Sequence, residues 1–184
     1  GMTPRELLIG SFRSALTAAD PAAIVPRHLP DPPRGRTVVV GAGKAAGAMA
    51  KAVDTAWPED QPIEGMVITR YRHGYAENEG PRRIRVLEAG HPVPDQAGED
   101  AAKQTFALAR SLGEDDLMLA LVSGGGSSLL SLPAEGIAMA DLKAVTQIDV
   151  SNDGRRVAAL AGDEVVLWDL EKRVSLARFR GEED

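Results

Sequence analysis

A glycine-rich segment with one lysine, Gly41-Ala42-Gly43-Lys44-Ala45-Ala46, follows the apolar run at 37–40. Glycines let the backbone approach an anion closely, and the first N–H groups of a helix expected at 44–56 add partial positive charge. Lys44 places an amine in the same loop, and an amine suits phosphate or carboxylate. Gly41, Gly43 and Lys44 are therefore predicted to bind an anionic ligand.

The spacing of this segment is compatible with more than one nucleotide. It satisfies the relaxed dinucleotide fingerprint, but a ribose-binding acid is expected after the second strand, and that strand ends in Arg70. Arg70 would suit a phosphorylated ribose, so an NADP-linked hydroxypyruvate reductase remains an alternative. A P-loop is excluded, because Ala45 follows Lys44 and no glycine stands five residues before Gly43.

A second anion-binding loop is predicted at 123–128, after another apolar run. It consists of three glycines between serines, namely Ser123, Gly124, Gly125, Gly126, Ser127 and Ser128. Glycine N–H groups and serine hydroxyls at the start of a helix expected at 127–132 can donate to an anion. A serine nucleophile is an alternative with His28, His73 or His91 as its base, although no Gly-x-Ser-x-Gly elbow occurs.

His91 is the third candidate, in the turn Gly90-His91-Pro92-Val93-Pro94-Asp95. The two prolines stiffen this turn between a strand and a helix that Asp95 is expected to cap. The imidazole could act as a general base or contact substrate oxygens. A purely structural turn residue is the alternative.

Strands and helices alternate in the order that would bring these loops together. Strands are predicted at 37–40, 65–69, 84–87 and 117–122, with helices between them. The alternation predicts a three-layer Rossmann-like sandwich with a mainly parallel sheet. Each candidate loop follows a strand, and ligands bind such sheets at the carboxyl ends of the strands.

The first helix has a clear sequence signature. Thr3-Pro4-Arg5-Glu6 matches a capping box with proline in the first turn. Leu8, Phe12 and Leu16 follow at helical spacing. This pattern predicts a helix that buries one face.

The composition excludes several classes of protein. The 184 residues carry a net charge of −6, from 21 basic and 27 acidic residues, so no basic surface for nucleic acid or an anionic membrane is indicated. The absence of cysteine excludes disulfides, thiolate metal sites and a cysteine nucleophile. No apolar run approaches the roughly 20 residues of a membrane span, and no signal sequence is evident. A cytoplasmic protein is expected.

The pattern changes near Gln147, after a last helical stretch predicted at 139–146. Turns at 151–154 and 162–163 separate short apolar strands predicted at 157–161, 165–168 and 174–179. Turns about eight residues apart between such runs are typical of an antiparallel β-meander. All twelve prolines lie at or before Pro133, which agrees with a change of architecture.

Taken in order, the segments GAGKAAGAMA, EAGHPVPDQAG and LVSGGGSSLL closely resemble the N-terminal part of the bacterial glycerate 2-kinases, often labelled hydroxypyruvate reductase. The resemblance covers 2–147. It implies transfer of a phosphoryl group from ATP, with Mg²⁺, to the 2-hydroxyl of glycerate. It also implies that Lys44 is the active-site lysine and 123–128 the glycine- and serine-rich site loop. Such transfer needs mainly positioning and charge neutralisation.

The same resemblance predicts an incomplete catalytic apparatus. Members of the family are longer, and their second domain, which closes the cleft and contributes an arginine, has no counterpart in these 184 residues. The parallel sheet is therefore expected to be incomplete. Little or no turnover is expected.

From Ile148 onward the chain resembles one blade of a WD-repeat propeller, through the turn at 151–154, Asp163 and Leu167-Trp168-Asp169. The Gly-His pair that begins such blades is absent. We therefore predict a chimera of a truncated kinase-like α/β domain, 1–147, and a propeller-blade fragment, 148–184. Because one blade has no neighbour to stack on, an interaction module that associates through exposed strand edges is the alternative function.

Overall fold

The computed structural model describes residues 2–133, 139, 145–161, 163–172 and 174–180. The chain divides into two compact units, 1–132 and 133–184. The predicted boundary at 147 remains a prediction. No helix among the described residues is long and apolar enough to cross a membrane.

A four-stranded parallel sheet forms the centre of the first unit. Its strands lie in the order β3-β2-β1-β4. They are β1 (Thr37–Ala42), β2 (Ile63–Arg70), β3 (Ile84–Ala89) and β4 (Leu117–Val122). All three pairings are parallel, as the apolar, β-branched runs predict. β1 is buried along its whole length, because strands flank it and helices cover both faces.

Helices lie on both sides of this sheet. They are α1 (Pro4–Ala18), α2 (Pro21–Ile24), a 3₁₀ helix at Val25–His28, α3 (Ala46–Ala56), α4 (Gln96–Arg110) and α5 (Gly126–Leu129). Val53 and Trp57 pack with Val39 on one face of the sheet. Ala101 and Leu129 pack with Ile68 on the other. The predicted α/β architecture with a parallel sheet is confirmed.

Two features of the first unit differ from expectation. α1 has the predicted capping box at Thr3, but none of its residues is buried. Phe12 is 64% exposed and Leu8 71%, because no described element covers this side of the helix. α5 ends at Leu129 rather than at 132, so the second glycine loop leads into only a single turn of helix.

The outer edge of β4 is also open among the described residues. Val122 at the end of this strand is 72% exposed, whereas Leu121 beside it is buried in the core. Within the described residues the strand therefore has one covered face and one uncovered face.

The second unit contains an antiparallel sheet of four strands in sequence order. The strands are β5 (Val145–Val150), β6 (Arg156–Ala161), β7 (Glu164–Asp169) and β8 (Val174–Arg180). Gly154, at φ +69°, closes the first turn and donates to the carbonyl of Ser151 at 2.8 Å. The predicted meander is confirmed. The helix predicted at 139–146 lies largely outside the described residues, and its last two positions belong to β5.

Candidate functional site

Hydrogen bonds join the two glycine-rich loops where β1 and β4 end. The N–H of Lys44 donates to the carbonyl of Gly124 at 2.9 Å, and the N–H of Ser123 donates to the carbonyl of Ala42 at 3.0 Å. The Ser123 hydroxyl accepts from the N–H of Ala45 at 3.0 Å. The parallel register of β1 and β4 places the loops side by side, as neighbouring strand ends require.

Glycine is required at two of these positions by geometry. Gly43 has φ +134°, and a Cβ there would overlap the side chain and carbonyl of Ser123. Gly125 has φ +86°, and a Cβ there would overlap the imidazole of His91. Side chains are thus excluded at the points where the loops approach their neighbours. Gly41 lies in β1 against Leu121, and Gly124 faces open space.

The lysine of the first loop lies at the surface of this site. Lys44 is exposed, and its ammonium has no hydrogen-bond or ion-pair partner within the described part of the chain. It lies in the turn before α3, which begins at Ala46, two residues later than expected. Ala45 provides no side-chain cap for α3, and the N–H of Ala46 donates to the carbonyl of Gly43 at 3.2 Å. The N–H groups that follow Ala46 in the first turn keep their partial positive charge near the lysine.

His91 reaches the second glycine loop although β3 and β4 are opposite edges of the sheet. Its half-buried ring lies against Gly125. The turn that carries it leads into α4, where Asp95 caps the helix by accepting from the N–H of Gly98 at 3.0 Å. The structure therefore brings together the three loops singled out in the sequence.

Ser127 and Ser128, unlike Ser123, form hydrogen bonds within their own segment of the chain. The Ser128 hydroxyl donates to the carbonyl of Gly125 at 3.2 Å. Ser127 is exposed, and its carbonyl accepts from the Ser131 hydroxyl at 3.1 Å. None of the hydrogen bonds of the described residues joins a serine to a histidine, so the arrangement offers no ready serine nucleophile.

Sequence reasoning missed two contacts at the same edge of the sheet. Arg70 donates from Nε and Nη2 to Nε2 of His73, at 2.9 and 2.6 Å. Tyr71 donates its hydroxyl to Asp95 at 2.6 Å, and this hydrogen bond raises the pKa of the tyrosine above its usual value. The short spacing of Arg70 and His73 after a strand was the available signal for the first contact.

Two cavities differ in their relation to these loops. One, of about 410 Å³, lies beside β4 and is lined in part by Gly41, Ser123, Gly126 and Ser127. A larger one, of about 720 Å³, runs along β3 and the segment before it and includes none of the predicted site residues. The loops therefore adjoin the smaller cavity, whose walls are largely apolar.

The described residues contain no group of three or more histidine, aspartate or glutamate side chains placed to hold a metal ion. Mg²⁺ usually binds proteins through one or two carboxylates together with substrate phosphates. The donor set seen here does not by itself form a magnesium site. The expectation of Mg²⁺ therefore still depends on the family resemblance.

Comparison with known proteins identifies relatives of most of this chain. Residues 7–160 match a protein family described as a domain of unknown function, DUF4147. An Agrobacterium vitis protein, provisionally named hydroxypyruvate reductase, is 49% identical over 146 residues, which is 79% of this chain and 32% of the relative. The D-glycerate 2-kinase of Thermotoga maritima is 36% identical over 143 residues, 77% of this chain and 33% of that enzyme.

A solved structure agrees with these relatives. The crystal structure of the glycerate kinase of Thermotoga maritima superposes with a TM-score of 0.63 and 33% identity, over 74% of this chain and 32% of that one. The chain spans about a third of the length of these relatives.

Proposed function

The chain belongs to the DUF4147 family, and from that premise we propose that its first unit is the oxyanion-binding part of a glycerate 2-kinase. The substrates would be glycerate and ATP, with phosphoryl transfer to the 2-hydroxyl of glycerate. Binding is the property expected of this chain, with little or no turnover. The A. vitis relative's name keeps an NADP-linked hydroxypyruvate reductase as the alternative.

One observation carries the proposal. The loops after β1 and β4 are hydrogen-bonded to each other, and the exposed Lys44 has no side-chain partner among the described residues. The backbone of Lys44 is held in place, because its N–H donates to the carbonyl of Gly124. A fixed backbone and an unpaired cation favour an anionic ligand.

The residues would act mainly through charge and position. Lys44 would neutralise charge on a phosphate group, and the open N-terminus of α3 would add N–H donors. The loop at 123–128 would present further backbone N–H groups, with Gly125 and His91 setting its shape. These roles require preorganised hydrogen-bond donors and do not require a covalent intermediate.

Binding titrations would test the proposal. D-glycerate, inorganic phosphate, ATP with Mg²⁺, and NADPH would each be titrated by calorimetry into the wild-type chain and into Lys44→Ala. We expect Lys44→Ala to weaken phosphate and ATP binding about ten- to a hundredfold, because a hydrogen bond to a charged group is lost.

Lys103→Ala is the matched control, because Lys103 is a surface lysine on α4 paired with Glu99 at 2.6 Å. Its binding should equal that of the wild type. Tight NADPH binding together with no response to ATP or glycerate would contradict the kinase assignment and favour the reductase.

A second candidate function concerns the antiparallel sheet, which we propose to be a propeller-type blade that associates with a second copy. Its two faces both carry exposed apolar side chains. Phe179 on β8 is 59% exposed and Ile148 on β5 is 62% exposed. A blade-like sheet buries such faces only against a neighbour.

Sedimentation velocity over a range of protein concentrations would test this association. Phe179→Glu and Ile148→Glu should each shift the equilibrium toward monomer, because a charge would have to be buried at the contact. Ser175→Glu is the control, since Ser175 is an exposed polar residue of the same strand. A monomeric wild-type chain at all concentrations would rule the association out.

A further inference from the structure

Arg70 lies at the middle of the carboxyl edge of the parallel sheet. It is the last residue of β2, opposite Ala89 of β3, and its strand lies between β1 and β3. Two residues earlier, the carbonyl of Ile68 accepts from the N–H of Gly43 at 3.0 Å. The arginine therefore ends its strand between the loop of Lys44 and the turn of His91.

The guanidinium of Arg70 is held in place by an uncharged group. Both its Nε and Nη2 donate to Nε2 of His73, at 2.9 and 2.6 Å. A ring nitrogen that accepts these bonds carries no proton, so the proton of the neutral imidazole is assigned to Nδ1. The histidine orients the arginine without neutralising it.

The histidine is fixed in turn by its own backbone. The N–H groups of His73 and Gly74 both donate to one carboxylate oxygen of Glu88, at 3.0 and 2.8 Å. The N–H of His73 also approaches the carbonyl of Arg70 at 3.1 Å. The segment after β2 is therefore anchored to β3, and it holds His73 beside Arg70 at the end of the strand.

Arg70 makes no ion pair within the described residues, and the nearby carboxylate of Glu88 binds the backbone of His73 and Gly74 instead. No described carboxylate lies within ion-pair distance of Arg70, in contrast to Arg83, which pairs with Asp54 at 2.7 Å. A guanidinium has five N–H groups, and His73 engages only those on Nε and Nη2. The Nη1 side remains available, and a guanidinium edge matches the two oxygens of a carboxylate.

We propose that Arg70 binds the carboxylate of the substrate, and that His73 is the residue that positions it. Lys44 and the glycine loops would then take the phosphate. This inference rests on the proposed function, and it assigns the recognition of the carboxylate of glycerate to the carboxyl end of β2. Arg70 is accordingly a specificity-determining residue, distinct from the residues predicted to bind phosphate.

Separate titrations of D-glycerate and inorganic phosphate test the assignment. Arg70→Gln removes the charge, and Arg70→Lys keeps the charge but loses the planar fork. Both should weaken D-glycerate binding by about tenfold or more and leave phosphate binding within about twofold. Arg72→Gln is the matched control. It removes a guanidinium charge from an exposed side chain that lies only two residues after Arg70. It should leave both ligands bound as in the wild type.

The positioning role of His73 has its own test. His73→Gln retains an acceptor for Arg70, whereas His73→Leu does not. We expect His73→Leu to reproduce the loss of D-glycerate affinity and His73→Gln to restore much of it. Equal behaviour of the two variants would overturn the positioning role. Amide NMR spectra would verify that each variant is folded. If Arg70→Gln does not fold, Arg70→Lys is the variant that is compared with the wild type.

The remaining outcomes separate this inference from the proposed function. If Arg70→Gln and Arg72→Gln bind D-glycerate equally, or if only phosphate binding falls, the carboxylate assignment is overturned while the anion site stands. If the wild-type chain binds phosphate but not D-glycerate, the assignment is likewise overturned. If it binds neither ligand, the proposed function fails and this inference fails with it.

Discussion

Gly43 and Gly124 lie on the two joined loops but differ in the space around them. A Cβ on Gly43 would overlap Ser123, and its φ of +134° is unfavourable for other residues, whereas a Cβ on Gly124 would meet nothing within 4 Å. We expect Gly43→Ala to lower the free energy of unfolding by at least about 2 kcal/mol. Gly124→Ala should change it by less than about 0.5 kcal/mol. Urea denaturation of both variants would measure the difference.

The buried pair of Asp54 and Arg83 is a second residue-scale determinant of stability. Asp54, only 5% exposed, accepts from Nε of Arg83 at 2.7 Å and from the N–H of Arg82 at 2.6 Å. Arg83 also donates to the carbonyls of Asp54 and Trp57 near the end of α3, at 2.6 and 3.1 Å. One arginine thus joins the loop before β3 to the end of the helix.

Asp54→Ala should lower the free energy of unfolding by about 3–5 kcal/mol, because it leaves a largely buried guanidinium without its partner. Glu59→Ala is the control, since the Arg82–Glu59 pair is 69% and 80% exposed. Such a surface pair contributes at most about 1 kcal/mol. Comparable losses in the two variants would show that burial does not determine the strength of these pairs.

The stabilisation by Asp54 should depend on pH. Burial raises the pKa of this carboxyl, but the hydrogen bonds from Arg82 and Arg83 and the charge of Arg83 outweigh it and leave the pKa below its usual value. A lowered pKa stabilises the folded state above the unfolded pKa of about 3.9, and this contribution disappears as the pH falls through the folded pKa. The difference in unfolding free energy between wild type and Asp54→Asn should therefore shrink between about pH 6 and about pH 2.

At the scale of elements, α1 and α4 illustrate how packing changes the effect of one glycine. Gly10 in α1 has open space around it, whereas a Cβ on Gly98 in α4 would lie 3.1 Å from the carbonyl of Leu129. Gly10→Ala should stabilise α1 by about 0.5–1 kcal/mol, because alanine restricts the unfolded backbone. Gly98→Ala should destabilise the first unit. Amide hydrogen exchange within each helix would report both effects.

Local patterns predicted most of the helices and strands, but not which other elements pack against each of them. The parallel strands followed from uninterrupted apolar runs, and the cap of α4 by Asp95 followed from residue type. The exposure of α1 did not follow, because the spacing of Leu8 and Phe12 shows that a face can be buried without showing what covers it. The single turn of α5 likewise depends on tertiary contacts rather than on the serines that precede it.

At the scale of the whole molecule, the two tryptophans report separately on the two compact units. Trp57 is 2% exposed in the core of the first unit, and Trp168 lies in β7 of the second. Because the chain divides into units at 132/133, we expect two unfolding transitions rather than one. Fluorescence of Trp57→Phe and Trp168→Phe variants would follow each unit alone.

Adding Asp54→Ala to these backgrounds would test the independence of the units. The transition reported by Trp57 should move to lower urea concentration, and that reported by Trp168 should not move. A common shift of both signals would show instead that the units unfold as one cooperative body.

The sequence alone identified two glycine-rich segments, predicted that they bind an anion, and determined that each follows a strand. A glycine-rich run that follows an apolar run is a local pattern, so it can be recognised without knowing which side chains lie nearby. Only the tertiary structure decided that His91 meets Gly125 and that Glu88 of β3 anchors the segment that carries His73. These contacts depend on the strand order β3-β2-β1-β4 and on backbone direction after each strand. Both are set by packing between residues distant in the chain, which no local pattern encodes.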